Sequence, residues 1–122
     1  IATPNKILSK NKLLVEKFKS KNIVFCSDSV EAVTNADCVM TDVWVSMGES
    51  NAKEKKKLFK NYQVNDKLMQ YTKRETIFMH CLPAHRNEEV TDSVIDGKYS
   101  IVWQQAQNRI YIQQSILFFC IN

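Results

Sequence analysis

A chain of 122 residues with 44% apolar and 25% charged side chains fits one ordinary globular domain, or part of one. Two glycines and two prolines argue against a disordered linker, and no apolar run approaches the roughly 20 residues that a membrane span needs. The formal charge of +4 comes mostly from lysine, and Arg, the better reader of phosphates and base edges, is scarce.

Apolar runs alternate with helical patterns, the α/β signature. Ser9 is placed to cap a helix reaching about Ser20, with Leu13, Leu14 and Phe18 on one face. Asn22 to Cys26 reads as a first strand. Asp28 and Glu31 have capping-box spacing and open a short helix. Asp37 to Asp42 reads as a second strand, followed by a loop.

A helical region from about Ala52 to Tyr71 follows, broken near Asn65. It carries the dense run Lys53, Lys55, Lys56, Lys57 and Lys60, read as a solvated helix face rather than a nucleic-acid patch. Thr76 to Cys81 is a third strand, Thr91 to Ile95 a helical turn ending at Gly97, and Ser100 to Gln104 a fourth strand. A last helix runs from about Ala106 to Phe119, apolar on more than one side, which predicts that it is covered. The four cysteines form no close pairs. Three of them (Cys26, Cys38 and Cys120) are expected as small buried hydrophobes in a reducing compartment.

On this pattern Asp42, Cys81 and Gln104 each end a strand, and Arg109 lies in the first turns of the following helix. Parallel strands bring them to one sheet edge, where open α/β sheets bind ligands. Asp42 is an anion suited to a cationic substrate, or equally a cap or loop carboxylate. Ser46, Met47 and Gly48 form a small loop tip, or an ordinary turn. Cys81 is a nucleophile, a metal ligand, an orienting group or a buried structural thiol. A protease triad lacks its local partners. A zinc site lacks a fourth ligand, and His80 and Cys81 point oppositely on an extended segment. Arg109 is the best binder of an anion or carbonyl oxygen, or else a surface helix charge.

The segment His80-Cys81-Leu82-Pro83-Ala84-His85-Arg86, followed by Glu88-Glu89-Val90-Thr91-Asp92, resembles the signature of ornithine carbamoyltransferases. Asp42-Val43-Trp44-Val45-Ser46-Met47-Gly48 is similar to that family's ornithine loop. Gln105-Ala106-Gln107-Asn108-Arg109, then Gln113, is similar to its closing active-site helix. The resemblance covers essentially the whole chain, from Ala2-Thr3-Pro4 onward.

It implies a three-layer parallel sheet with flanking helices, a Rossmann-like ornithine-binding domain, incomplete, over residues 1–122. It implies transfer of a carbamoyl group from carbamoyl phosphate to the δ-amino group of L-ornithine, giving L-citrulline and phosphate, with no metal or other cofactor. Asp42 would bind the amino group, Ser46 and Met47 the amino-acid end, and Cys81 would orient the δ-amino group or handle its proton. The Leu82 carbonyl and Arg109 would contact the carbamoyl group. It further implies a cis Leu82–Pro83 peptide, a cytoplasmic enzyme (the mitochondrial matrix being the alternative) and a homotrimer when complete.

The family's amino-terminal, carbamoyl phosphate-binding domain, with its Ser-x-Arg-Thr loop and His-Pro-x-Gln segment, has no counterpart in these residues. The chain alone is therefore expected to be inactive. Asn87 stands where Gly is common, and Gln104 and Gln107 where acidic residues are common. Two other readings compete: a non-catalytic α/β module that binds an amino acid or a partner protein, and a basic nucleic-acid-binding domain.

Overall fold

The computed structural model describes residues 1–20, 22–46 and 48–121. Its sheet is built from β1 (Cys38–Thr41) and β2 (Ile77–His80), paired in parallel with Cys38 opposite Ile77 and Thr41 opposite His80. Both strands fall within the predicted runs, and the α/β class holds. The buried faces alternate as a strand demands: Phe78 and His80 on β2 are buried, and Val39, the register partner of Phe78, is buried beside it.

Around the sheet lie α1 (Asn5–Lys10), α2 (Lys12–Phe18), α3 (Ser29–Val33), α4 (Ala52–Phe59), α5 (Asp66–Met69), α6 (Asp92–Ile95) and α7 (Val102–Ile121). The core joins Val33 of α3, Val39, Val64, Leu68 of α5, Phe78, Val90, Val94 and Ile95 of α6, and Val102 of α7. The caps follow the sequence. Asp28 accepts a hydrogen bond from the Val30 N–H at the start of α3. Asn65 accepts one from the Leu68 N–H, which restarts the helix as α5 after a single 3₁₀ turn at Lys60–Tyr62.

Several expectations are corrected. The helix expected from Ser9 begins instead after Pro4 and breaks at Asn11, where the Asn11 side chain donates back to the Ile7 carbonyl. The expected strand Asn22 to Cys26 is reduced to one parallel bridge between Ala2 and Cys26. Its partner is only Ile1–Thr3, because Pro4 has no N–H to extend a ladder and already caps α1.

The expected fourth strand, Ser100 to Gln104, is likewise a single bridge. Phe78 donates to the Tyr99 carbonyl and accepts from the Ile101 N–H, and then the chain turns helical at Val102. Gln104 therefore sits in a helix and ends no strand. The run from Trp103 to Arg109 holds three glutamines, one alanine and an arginine, which favour a helix over a pleated edge.

Burial also departs from expectation. Cys38 and Cys120 are exposed and Cys26 is half-buried, so the cysteines do not serve as core hydrophobes. On α7 only Val102 is buried, and Ile112, Leu117 and Phe119 stand in solvent. Even so, among the described residues no helix is long and apolar enough to cross a membrane.

Candidate functional site

The register of the two strands builds the site. Thr41 and His80 are the last paired residues, so the next residues, Asp42 and Cys81, leave the sheet side by side. The Cys81 thiol donates to Asp42 Oδ1 at 2.9 Å, and the same oxygen accepts from the Val43 N–H at 2.7 Å. Both side chains are exposed at the strand ends.

The two loops are held from outside. After β1, Trp44 stacks on Phe59 of α4 with ring centroids 6.5 Å apart. The Ser46 N–H donates to Glu49, whose carboxylate pairs with Lys55 at 2.6 Å. Gly48 has φ +85°, a left-handed conformation that glycine adopts at little cost. Met47, named for the amino-acid end of the ligand, lies outside the described residues. After β2, Leu82 takes φ +52° and precedes a cis bond to Pro83, as expected. Asn87 takes φ +64°, which explains why Asn, the best substitute for Gly there, stands at that position. Lys56 pairs with Glu88, so two residues of the lysine run tie α4 to the site loops.

Arg109 reaches the site through α7. The side chain of Gln105 accepts a hydrogen bond from the His80 backbone N–H at 3.1 Å. Residues four apart share a helix face, so Arg109 follows Gln105 on the side turned to the strand ends. Its charge acts on the Cys81 thiol. Gln105 belongs to the recognised motif, yet its anchoring role could be read only from the fold. The same holds for His80 and Glu89, both fully buried.

The electrostatics fix protonation. The thiol hydrogen bond is the main reason the Asp42 carboxyl lies below its ordinary range. Partial burial, then the hydrogen bond and charge of Asp42, push the Cys81 thiol above its own. At neutral pH the pair is thus a thiol donating to a carboxylate. The Asp42 contribution to stability is present above the unfolded carboxyl value and lost as pH falls through the lowered folded value. The Cys81 contribution is present below the unfolded thiol value and lost as pH rises through the raised folded one. Alkylation of Cys81, followed by peptide mass spectrometry across pH, is expected to inflect above the ordinary thiol value of about 8.5. An inflection at or below that value would show that the pair does not form.

Among the described residues, His85, Glu88 and Glu89 bring one ligand atom each within 4.8 Å of one another. Glu88 is already paired with Lys56, and Glu89 accepts from the His85 N–H.

Comparison with known proteins bears on this arrangement. Residues 1–120 match the family model described as aspartate/ornithine carbamoyltransferase, Asp/Orn binding domain. The chain belongs to the aspartate/ornithine carbamoyltransferase family. It is 50% identical, over 99% of its length, to an ornithine carbamoyltransferase of Rhodopseudomonas palustris, of which it covers 39%. It is 50% identical over 94% of its length to that of Hyperthermus butylicus, covering 37%.

Among solved structures, the ornithine carbamoyltransferase of Pyrococcus furiosus superposes with a TM-score of 0.71 at 52% identity, over 76% of this chain and 30% of that one. The anabolic enzyme of Campylobacter jejuni gives 0.74 at 34% identity, over 94% and 38%. The chain therefore spans about two fifths of the length of the curated ornithine carbamoyltransferases it matches. The family accounts for the parallel α/β fold and for the three motifs that meet at the strand ends.

Proposed function

We propose that residues 1–122 form the carboxyl-terminal, ornithine-binding part of an enzyme that transfers the carbamoyl group of carbamoyl phosphate to the δ-amino group of L-ornithine. The observation that carries this is the Cys81–Asp42 hydrogen bond across the ends of β1 and β2, with Arg109 on the adjoining helix. A cationic amine needs an anion beside it, and Asp42 offers one. An amine resembling the Lys ε-amino group has a pKa of about 10.4 and must shed a proton before it attacks. A protonated Cys81 bound to Asp42 is suited to orienting the amine and relaying that proton, not to attacking as a thiolate nucleophile.

Ser46 and Met47 hold the amino-acid end of the substrate. The Leu82 carbonyl and the Arg109 guanidinium contact the carbamoyl group, and Arg109 stabilises oxygen charge in the tetrahedral transition state. Carbamoyl phosphate is held mainly by an amino-terminal domain outside these 122 residues. The complete enzyme is a cytoplasmic homotrimer, and bringing its two substrates together adds a large proximity effect. The names of the relatives support this reading over a nucleic-acid-binding one, as does the engagement of Lys55 and Lys56 in ion pairs.

The test is direct. Millimolar L-ornithine added to the chain is expected to shift the backbone amide resonances of Asp42, Ser46 and Cys81, while L-ornithine with carbamoyl phosphate yields no citrulline above a Cys81→Ala control. Absence of ornithine-dependent shifts at all three positions would favour the non-catalytic module. Citrulline formation would overturn the assignment of carbamoyl phosphate binding to a separate domain.

A further inference from the structure

A carboxylate and an imidazole, Glu89 and His80, are each 0% exposed, and neither belongs to the group of side chains proposed to touch substrate. Burial of such groups is costly unless their polar atoms serve a purpose. Their partners show the purpose. His80 Nδ1 accepts a hydrogen bond from the Leu82 N–H at 2.9 Å. An imidazole that accepts through Nδ1 carries its proton on Nε2, and Nε2 faces Glu89 Oε1 at 3.4 Å. That same carboxylate oxygen accepts from the His85 N–H.

The segment between β2 and Val90 makes no ladder with a neighbouring strand. Its backbone donors must find acceptors elsewhere. Asn87 and Glu88 donate to carbonyls within the loop, those of Val90 and His85. Leu82 and His85 donate to the two buried side chains. Leu82 does so at φ +52°, a left-handed conformation unfavourable for a residue with a Cβ.

We infer that His80 and Glu89 are positioning residues: a buried clamp that holds the Leu82 and His85 N–H groups on either side of Pro83, fixing the Cys81 thiol against Asp42. The clamp rests on the functional reading only in treating Cys81 and Leu82 as site groups.

The test reads the thiol and needs no substrate. The groups acting on the Cys81 thiol are Asp42 after β1, its own backbone and Arg109 on α7. In His80→Leu the acceptor for Leu82 is gone and the loop is released. Cys81 should then be alkylated several-fold faster at pH 8, with its profile moved toward lower pH. Cys38 on β1, whose thiol is also pushed up by burial, is the control for global unfolding and should keep its wild-type profile. His80→Asn places an amide oxygen near the position of Nδ1 and should restore most of the protection.

An unchanged Cys81 profile in folded His80→Leu overturns the clamp. So does equal deprotection of Cys38 and Cys81 in both variants, which would mark His80 as a core residue only. If His80→Leu does not fold, Glu89→Met, which removes the acceptor of the His85 N–H, decides: Cys81-specific acceleration supports the clamp and no change overturns it. A chain that ignores L-ornithine yet shows the Cys81-specific change loses the functional reading and keeps the clamp.

Discussion

Replacing Asp42 with Ala is expected to weaken L-ornithine binding by roughly 10- to 100-fold, the equivalent of about 1.5–3 kcal/mol for a hydrogen bond to a charged group. Asp42 is the carboxylate at the strand ends that the Cys81 thiol already contacts, and it also accepts from the Val43 N–H. Truncation removes the anion from the strand ends and, in the same step, the acceptor of the thiol. Ornithine affinity should therefore fall while Cys81 becomes easier to alkylate.

Asp37 is the matched control. It pairs with Lys73 at 2.7 Å, but both side chains are well exposed, and such pairs contribute about 0–1 kcal/mol. Asp37→Ala should change neither readout. Equal ornithine-induced shifts in Asp42→Ala and the wild-type chain would remove Asp42 from the site. Lost affinity with an unchanged thiol profile would separate the two roles argued for it.

Phe78→Ala is expected to lower the unfolding free energy by about 3–5 kcal/mol, against a usual total of roughly 5–15 kcal/mol for a natural domain. Phe78 is 1% exposed in the middle of β2 and pairs with Val39 on one side. Its backbone also holds both neighbours of Ser100 on the other side. The side chain is thus central to the core while its backbone joins three segments. A large cavity at this position cannot be closed by moving one helix. Phe78→Leu, which keeps most of the volume, should cost less, and urea-denaturation midpoints of the two variants should rank accordingly. A wild-type midpoint for Phe78→Ala would mean that the core lies elsewhere.

The clamp and the site share one cause. β2 presents Phe78 and His80 inward and delivers Cys81 just past the last paired residue. The strand period of two that buries the His80 side chain also turns Cys81 away from the core. A residue that satisfies the loop and the residue proposed to face substrate are therefore consecutive by geometry.

Much of this was legible in the residues. The strands at Cys38–Thr41 and Ile77–His80 came from short apolar runs, the helix start at Asp28 from a side chain that caps its own neighbours, and the break near Asn65 from the interrupted helical pattern. Those features depend on interactions within a few residues. The motifs around Asp42, Cys81 and Arg109 were recognisable for the same reason, as ordered short strings. Tertiary structure decided the rest. Asn22 to Cys26 and Ser100 to Gln104 have strand-like composition, yet a strand exists only where a partner supplies its hydrogen bonds, and each found just one bridge. The exposure of Cys38 and Cys120, the burial of His80 and Glu89, and the anchoring of Gln105 depend on which segments pack together. So does the 2.9 Å bond between residues 42 and 81, set by the register of β1 on β2. No local pattern specifies that register.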